Sequence, residues 1–342
     1  MRLEVDNWSK VFGVTTAIVG GSWILYKLLR KPSRPFTTVD TVGDEYNKWT
    51  RDGILEHYWG EHIHLGYYME RSWFNPRAWF LTNFIQATRC RLFIESFKTS
   101  KLEFTNQLIK WSGIAELSQT EHVRVLDVGC GIGGTTRIFG KHRPNWTITG
   151  VSISPEQIDR ASMLAMEQSV MNVDFRCCDA MKMPFPDNAF DVVWSCESAE
   201  HMPDKQAFIK ECLRVLKPSG KFVLATWCQR DDRMMPFSNA ETEQLDFLYK
   251  EWCHPKFASL EAYEEMGVRE GLGTVRTADW TEETLPAWRH SIFVGMWAPW
   301  AVVMRPACWW STIREIVTLE RMHCAFRDGL MRYGILTGTK LH

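Results

Sequence analysis

The 342 residues of the chain are enough for one large domain, or for one domain with an appendage. The 40 basic and 41 acidic residues give a net charge of −1, which leaves no basic surplus for binding nucleic acid. The ten cysteines show no spacing typical of metal ligands, so we expect reduced thiols and no metal site.

An apolar run over residues 11–29 is the first predicted element, and Lys27 is its single charge. This length is just sufficient for a helix to cross a bilayer. Basic residues cluster on its carboxyl side, so the positive-inside rule places the remainder of the chain on the cytosolic side. We expect a single-pass membrane anchor and linker over 1–35, in the endoplasmic reticulum or a plastid membrane, and a folded domain over 36–342. A buried core helix is the alternative.

Residues 38–117 have a helical pattern that an aromatic and histidine-rich segment over 58–68 interrupts. His62 and His64 alternate there, so both would face one side of an extended segment. The pair has no third ligand at a suitable spacing, which argues against a bound metal. We expect this region to form a lid together with a second helical region over about 283–332.

The sequence VRVLDVGCGIGG over 123–134 is the most informative part of the chain. Its apolar first half is typical of a buried parallel strand, and Asp127 lies near the strand end. Glycines follow at 129, 131, 133 and 134, and a loop built from them can turn sharply and present bare backbone to a ligand. Such a turn between strand and helix binds nucleotides in doubly wound folds. The spacing differs from the G-x-G-x-x-G of dinucleotide sites, but the loop alone leaves an NAD site or an unliganded loop as alternatives.

Strand and helix patterns alternate after this loop, which predicts a doubly wound, Rossmann-like α/β sheet of seven strands with its core over about 120–230. The further predicted strands are 146–154, 173–180, 190–196, 221–227, 274–281 and 333–341. The predicted helices are 155–168, 204–220 and 259–272.

The stretch from Asp127 to Gly134 resembles motif I of the class I S-adenosylmethionine (SAM) methyltransferases. Most of that family end the second strand with an acid. Here GVSISPEQ over 150–157 is instead similar to the gamma-tocopherol and sterol C-methyltransferase branch and to the cyclopropane-fatty-acid synthases. SCESAEHMPDK over 195–205 and WGEHIHLGYY over 59–68 most resemble the tocopherol type, with Ala199 in place of a glycine. The resemblance implies a seven-stranded SAM-dependent methyltransferase with helical lid insertions.

The resemblance also implies a set of SAM contacts. They are Asp127, Gly129, Cys130, Gly131, Gly133, Ser152, Gln157, Asp179, Ala180, Ser195 and Tyr67. Within this set, Ser152 and Gln157 would contact the ribose. Asp179 and Ala180 would meet the adenine, and the alternative for Asp179 is an acid that caps the start of a loop. The face of the Tyr67 ring would attract the sulfonium cation, and the alternative for Tyr67 is a place in the core of the lid.

Methylation of a ring carbon beside a phenol requires a base for the phenolic proton or for the displaced ring proton. The predicted catalytic residues are Glu200, ranked first, then His201, and His64 in the lid. Glu197 is a further candidate on the same strand end. The alternative for these glutamates is a structural role, in which one of them caps the helix that begins near Asp204 or orients the lid.

The acceptor that the resemblance implies is a lipophilic small molecule, with the ring carbon of a tocopherol-like or other prenyl phenol or quinol ranked first. Sterol or terpenoid C-methylation and small-molecule N-methylation are the alternatives, and a catalytically silent, membrane-tethered SAM-binding scaffold is another. An apolar acceptor would find a wall in the tryptophans of the second helical region, which are Trp288, Trp297, Trp300, Trp309 and Trp310.

Overall fold

The computed structural model describes residues 39–69, 87–117, 121–233, 235–252, 254–297, 299–304 and 309–342. The predicted membrane anchor over 1–35 lies outside these ranges. Within them, no helix combines the length and the apolar character that crossing a bilayer requires.

Seven strands form one mixed sheet at the centre of the described chain. In chain order they are Arg124–Val128 (β1), Thr147–Ser152 (β2), Val173–Cys177 (β3), Phe190–Cys196 (β4), Leu216–Gln229 (β5), Leu272–Asp279 (β6) and Met331–Lys340 (β7). Across the sheet the order is β3-β2-β1-β4-β5-β7-β6. Strands β1 to β5 pair in parallel, whereas β7 runs antiparallel between β5 and β6. The predicted seven-stranded, Rossmann-like sheet is confirmed.

Some helices of the described chain alternate with the strands. Others precede β1 or lie between β6 and β7. In chain order the helices are Val39–Asp52 (α1), Ile54–Trp59 (α2), Ala87–Ser112 (α3), Gly134–His142 (α4), Pro155–Glu167 (α5), Lys205–Val215 (α6), Asn239–Glu251 (α7), Leu260–Arg269 (α8), Thr281–Trp297 (α9), Trp300–Val303 (α10) and Trp309–Arg327 (α11). Helices α9 to α11 fall between β6 and β7, where the sequence predicts a helical insertion.

The central strands are apolar toward both faces of the sheet, which is why they read as continuous hydrophobic runs. In β1, Val125 packs into one apolar cluster, together with Phe104 of α3. Its neighbour Leu126 packs into the opposite cluster, together with Phe208 of α6. This alternation follows from the two-residue period of a strand, and it buries β1 on both sides.

Helix α6 is shorter than the sequence predicts, because the chain leaves it at Val215 and enters β5 at Leu216. Pro218 has no backbone N–H and cannot continue the helix. Ser219 adopts a positive φ of 63°, and the pairing of β5 with β4 shifts register at this point. At its other end, α6 is capped by Asp204, whose carboxylate accepts the N–H of Ala207 at 2.9 Å.

The predicted tryptophan wall is wrong for the members whose side chains the structure describes. Trp288 is fully buried in the core, with its ring centre 5.0 Å from that of Trp227. Trp309 and Trp310, by contrast, are 50% and 44% exposed on α11. The side chains of Trp297 and Trp300 lie outside the described part. A large aromatic residue is used here both for core filling and on the surface, and composition cannot separate the two uses.

Candidate active site

A cleft opens at the carboxyl ends of β1, β2 and β4, beneath α1 and the segment 61–64. It holds about 750 Å³ of empty space, including its open mouth. Many predicted site residues line it, namely Asp127, Gly129, Cys130, Gly131, Ser152, Gln157, His64 and His201. This is the edge of a parallel sheet at which doubly wound folds bind their ligands.

The glycine-rich loop has a left-handed backbone at three positions, with φ of 80° at Gly129, 55° at Gly131 and 78° at Gly133. A Cβ on Gly129 would lie 2.3 Å from the Cβ of Ser198, and one on Gly133 would lie 2.6 Å from the ring of Phe175. Both positions therefore require glycine. At Gly131 the nearest atom to such a Cβ is 3.9 Å away, so bare backbone faces the cleft there.

Asp127 ends β1 as a buried carboxylate at the cleft wall. It accepts a hydrogen bond of 2.6 Å from the hydroxyl of Thr136, in the first turn of α4. Burial raises the pKa of Asp127 to about 6, against the opposing effect of the hydroxyl and amide of Thr136. The group is therefore ionised at neutral pH and gives the cleft a fixed negative charge.

Ser152 and Gln157 come together at the wall of the cleft, where the Ser152 hydroxyl donates a 2.7 Å hydrogen bond to Oε1 of Gln157. Gln157 is positioned by the cap of α5, because the Ser154 hydroxyl accepts the Gln157 backbone N–H at 3.1 Å. The same hydroxyl donates to Oδ1 of Asn47 at 2.6 Å and so ties α1 to the end of β2.

The segment over the loop is held by a charged contact that the sequence analysis missed. Arg137 of α4 is buried and donates 2.6 Å hydrogen bonds to the carboxylate of Glu61 and to the carbonyl of Ile132. Gln168 also donates to Glu61, at 2.9 Å. Glu61 and Arg137 are 76 positions apart, so no local sequence pattern could have paired them.

His62 and His64 face the same side, as their alternation predicts, with ring centres 5.3 Å apart. The Nδ1 of His64 donates to the carbonyl of Leu65 at 2.8 Å. Burial lowers the pKa of His64 to about 4, and burial also lowers the pKa of His62 well below its usual range. Both imidazoles are therefore neutral at physiological pH.

His201 lines the cleft, and its Nε2 lies 3.0 Å from the hydroxyl of Tyr46 on α1. Its ring stacks on His254, with the ring centres 4.1 Å apart. Burial, with a smaller effect of the Lys205 charge, lowers the pKa of His201 to about 3. This imidazole is also neutral, and it is available for hydrogen bonding rather than for carrying charge.

Glu197 is the acid at the end of β4 that lines the cleft. Its Oε1 accepts the backbone N–H of Leu65 at 2.8 Å and the hydroxyl of Tyr333, on β7, at 2.7 Å. Its backbone has a positive φ of 49°, which is uncommon for a residue with a side chain. Burial raises the pKa of Glu197 to about 7. The role of Tyr333 was missed because only the folding of the sheet brings β7 to this end of β4.

Glu200, the first-ranked catalytic candidate, is buried but does not line the cleft. Its Oε2 accepts the hydroxyl of Thr226 at 2.8 Å, and its backbone carbonyl accepts the ammonium of Lys205 at 2.7 Å. Burial, reinforced by the Glu197 charge, raises the pKa of Glu200 to about 8. Asp204 caps α6, so capping explains neither glutamate. The catalytic role of Glu200 stays a prediction.

Five predicted SAM contacts also lie outside the cleft lining, and their roles stay predictions. Gly133 sits at the start of α4, and Ala180 is buried. Asp179 is exposed and accepts a backbone amide of its own turn at 2.8 Å. Ser195 is buried with its hydroxyl 2.7 Å from a serine three residues later. The Tyr67 ring packs edge-on against Trp280, with ring centres 5.0 Å apart.

Comparison with known proteins decides the family. Residues 126–224 match the methyltransferase domain family. The 2-methyl-6-phytyl-1,4-hydroquinone methyltransferase of Synechocystis is 39% identical over 340 residues, which cover 96% of this chain and 95% of that protein. The chloroplastic tocopherol O-methyltransferase of Arabidopsis thaliana is 30% identical over 307 residues, which cover 87% of this chain and 81% of that protein. The chain belongs to the tocopherol type of class I SAM-dependent methyltransferases.

The methyltransferase fold recurs in solved structures of much lower sequence identity. The geranyl diphosphate C-methyltransferase from Streptomyces coelicolor A3(2) superposes with a TM-score of 0.69 at 18% identity, and the match covers 91% of this chain and all of that one. The likeness therefore includes the flanking helices as well as the central sheet.

The residues of the cleft fit SAM, a ligand that carries a sulfonium cation, an ammonium group and a ribose. The ionised Asp127 offers the negative charge, and Gly131 offers open backbone. The hydroxyl and amide of Ser152 and Gln157 offer hydrogen bonds suited to ribose. The histidines are neutral and would not repel a cation. These residues are the ones that would hold SAM in this methyltransferase.

The steric demand at Gly129 gives a direct test of the cofactor site. We expect Gly129→Ala to weaken SAM binding at least about tenfold in titration calorimetry, because the new Cβ collides with Ser198 and displaces the loop. Gly271→Ala is the matched control, since Gly271 also has a positive φ, of 94°, but no atom within 4 Å of the added Cβ. If the two variants bound SAM with equal affinity, the loop would not be part of the SAM site.

Proposed function

We propose that this methyltransferase adds a methyl group to a ring carbon of a prenyl phenol or quinol. The observation that carries the proposal is the 39% identity to the Synechocystis hydroquinone methyltransferase along nearly the whole of both chains. Because that identity extends through the lid and the terminal strands, it covers the parts that surround an acceptor as well as the cofactor loop.

The chain's own residues supply alignment and exclusion of water, and SAM supplies the electrophilic methyl group when it is bound. Displacement at a sulfonium needs a dry, well-aligned pocket more than a strong acid. The contacts from Arg137 to Glu61 and from Leu65 to Glu197 hold the segment 61–65 over the cleft. The neutral His62 and His64 keep this cover free of positive charge.

Glu197 is the base that the geometry favours. It lines the cleft, and burial raises its pKa to about 7, so at neutral pH it can accept a proton and release it again. Glu197 would take the phenolic proton, which makes the ring carbon more nucleophilic toward the methyl group that bound SAM would supply in leaving as its neutral thioether. The ring proton would then pass to solvent, and Glu197 would return its proton to the phenolic oxygen, which restores the aromatic phenol. His201 and Tyr46 line the same cleft and can hydrogen-bond a phenolic oxygen.

The acceptor class is tested with full-length protein, methyl-labelled SAM and separate pools of prenyl quinols with tocopherols, sterols, and amine metabolites. We expect label only in the prenyl phenol pool, attached to a ring carbon when the product is mapped by NMR. Label confined to sterols or amines would overturn the acceptor while leaving the cofactor site intact. SAM binding without transfer to any pool would instead favour the silent scaffold.

The choice between the two buried glutamates is tested by a pair of matched variants. We expect Glu197→Gln to lower kcat on the quinol by about a hundredfold or more, with SAM affinity retained. Glu200→Gln, which changes a carboxylate outside the cleft lining, should leave kcat within about threefold. Since the base acts when ionised, kcat of the unmodified enzyme should rise with pH through about 7 and then level off. A large loss of kcat in Glu200→Gln together with a small loss in Glu197→Gln would instead identify Glu200 as the base.

We propose further that residues 1–35 anchor the enzyme in a membrane, with its catalytic domain on the cytosolic side, and we favour the endoplasmic reticulum. The apolar run over 11–29 and the basic residues after it support this. Full-length protein should stay in the membrane pellet after alkaline carbonate extraction. Ile18→Arg with Leu25→Arg should release it, because each charge opposes insertion by about 3 kcal/mol, whereas Ile18→Leu should not. Release of all three proteins would contradict the anchor.

A further inference from the structure

The region from the middle of α9 to the start of α11 has an unusual charge pattern. Residues 284–314 contain no aspartate or glutamate, and residues 290–313 contain one charged side chain, Arg305. A segment of this composition in the middle of a soluble domain is normally a core element. In this chain, the residues at its carboxyl end are exposed on the surface instead.

The first half of α11 has the polarity of its two faces reversed. Its inner face carries Arg314, whose guanidinium donates to the carboxylate of Glu251 on α7 at 3.0 and 2.7 Å with both side chains buried. Its outer face carries Trp309, Ile313 and Ile316, which are 50%, 45% and 39% exposed. Spacings of four and three residues place these three on one stripe of the helix. A helix that faces water has the opposite arrangement.

Exposed apolar residues are also present at the end of α10. Val303 and Met304 are 43% and 76% exposed, and the indole N–H of Trp309 donates to the carbonyl of Val302 at 3.1 Å. This hydrogen bond joins the end of α10 to the start of α11. The exposed apolar surface therefore consists of Val303, Met304, Trp309, Trp310, Ile313 and Ile316, which we call the tryptophan face.

We propose that the tryptophan face is a second membrane contact, which rests in the lipid–water interface and holds the catalytic domain against the bilayer that contains the acceptor. The proposal rests on the membrane anchor and the lipophilic acceptor proposed above. Tryptophan is the residue type that membrane interfaces favour, since its ring is apolar and its N–H is polar. Residues 303–314 contain no acid, which limits repulsion from anionic headgroups along most of this face.

The length of the linker indicates that a bilayer covers the tryptophan face. The predicted span ends at Leu29 and α1 begins at Val39. The nine intervening residues can extend over at most about 32 Å, which is less than the diameter of about 50 Å expected for a domain of this size. The linker therefore keeps the start of α1 within about 32 Å of the bilayer, so lipid is the apolar phase nearest to an exposed apolar face of the domain.

The tryptophan face is also connected to the lid. Helix α11 packs against α9, and the hydroxyl of Tyr68 lies 2.7 Å from Nδ1 of His290 on α9. The Tyr68 backbone N–H donates to the carbonyl of Glu283 at 3.0 Å. Since Leu65, three residues earlier, bonds to Glu197 in the cleft, a surface held in the membrane is linked through few contacts to the cover of the active site.

The first test compares two acceptors for the full-length enzyme, reconstituted in phosphatidylcholine and phosphatidylglycerol vesicles. One is a phytyl quinol dissolved in the bilayer, and the other is a short-chain quinol dissolved in water. We expect Trp309→Gln with Trp310→Gln to lower the rate on the bilayer acceptor at least about tenfold and to leave the rate on the soluble acceptor unchanged. Met171→Gln, at a methionine that is 85% exposed, is the control and should change neither rate.

An equal loss on both acceptors would assign the two tryptophans to the fold and overturn the proposal, as would an unchanged rate on the bilayer acceptor. If the unmodified enzyme methylated neither quinol, the proposed acceptor would fail instead. A second readout separates these cases. With a photoactivatable lipid in the vesicles, we expect adducts in the tryptic peptide 290–314 and none in 161–176, which contains Met171.

The same experiment identifies another occupant. Lipid adducts absent from 290–314, together with dimers in detergent that the tryptophan variant disrupts, would assign the face to a second copy of the chain and overturn the membrane contact. Lipid adducts in 290–314 without any quinol methylation would support the membrane contact while the acceptor assignment falls.

Discussion

The carboxylate of Glu197 connects three parts of the molecule that are far apart in sequence. It extends from the end of β4, accepts the N–H of Leu65 from the lid, and accepts the hydroxyl of Tyr333 from β7. The end of β4, the cover of the cleft and the antiparallel strand β7 are thus fixed around one buried acid. Its positive φ of 49° is tolerated because these contacts determine the position of the backbone.

The residue next to Glu197 packs the cofactor loop against the same strand end. The hydroxyl of Ser198 donates to the carbonyl of Val128 at 2.9 Å and lies 2.7 Å from that of Ser195. Its Cβ occupies the space that a side chain on Gly129 would need. The glycine is therefore needed for two reasons, since the loop must turn with a positive φ and must also pass close to β4. The lid and the glycine-rich loop are thus held by the adjacent residues Glu197 and Ser198.

Burial sets the charge of the cleft in a way that suits a cationic cofactor. It lowers the pKa of His62, His64 and His201, so three imidazoles that could have been cations stay neutral. It raises the pKa of Asp127 only to about 6, so that carboxylate stays charged at neutral pH. The result is a site with negative charge and several neutral hydrogen-bonding groups. Such a site attracts a sulfonium cation and does not repel it.

The sequence by itself determined the sheet, the glycine-rich loop and the presence of Ser152 and Gln157 at one site, because these depend on periodicity and on motifs within a few residues of one another. The tertiary structure alone decided which glutamate lines the cleft. Glu197 and Glu200 are three residues apart in one motif, and only the fold turns the first toward the cleft and the second toward Thr226. It likewise paired Glu61 with Arg137 and separated Trp288 from Trp309, because burial depends on contacts between distant segments that no local pattern encodes.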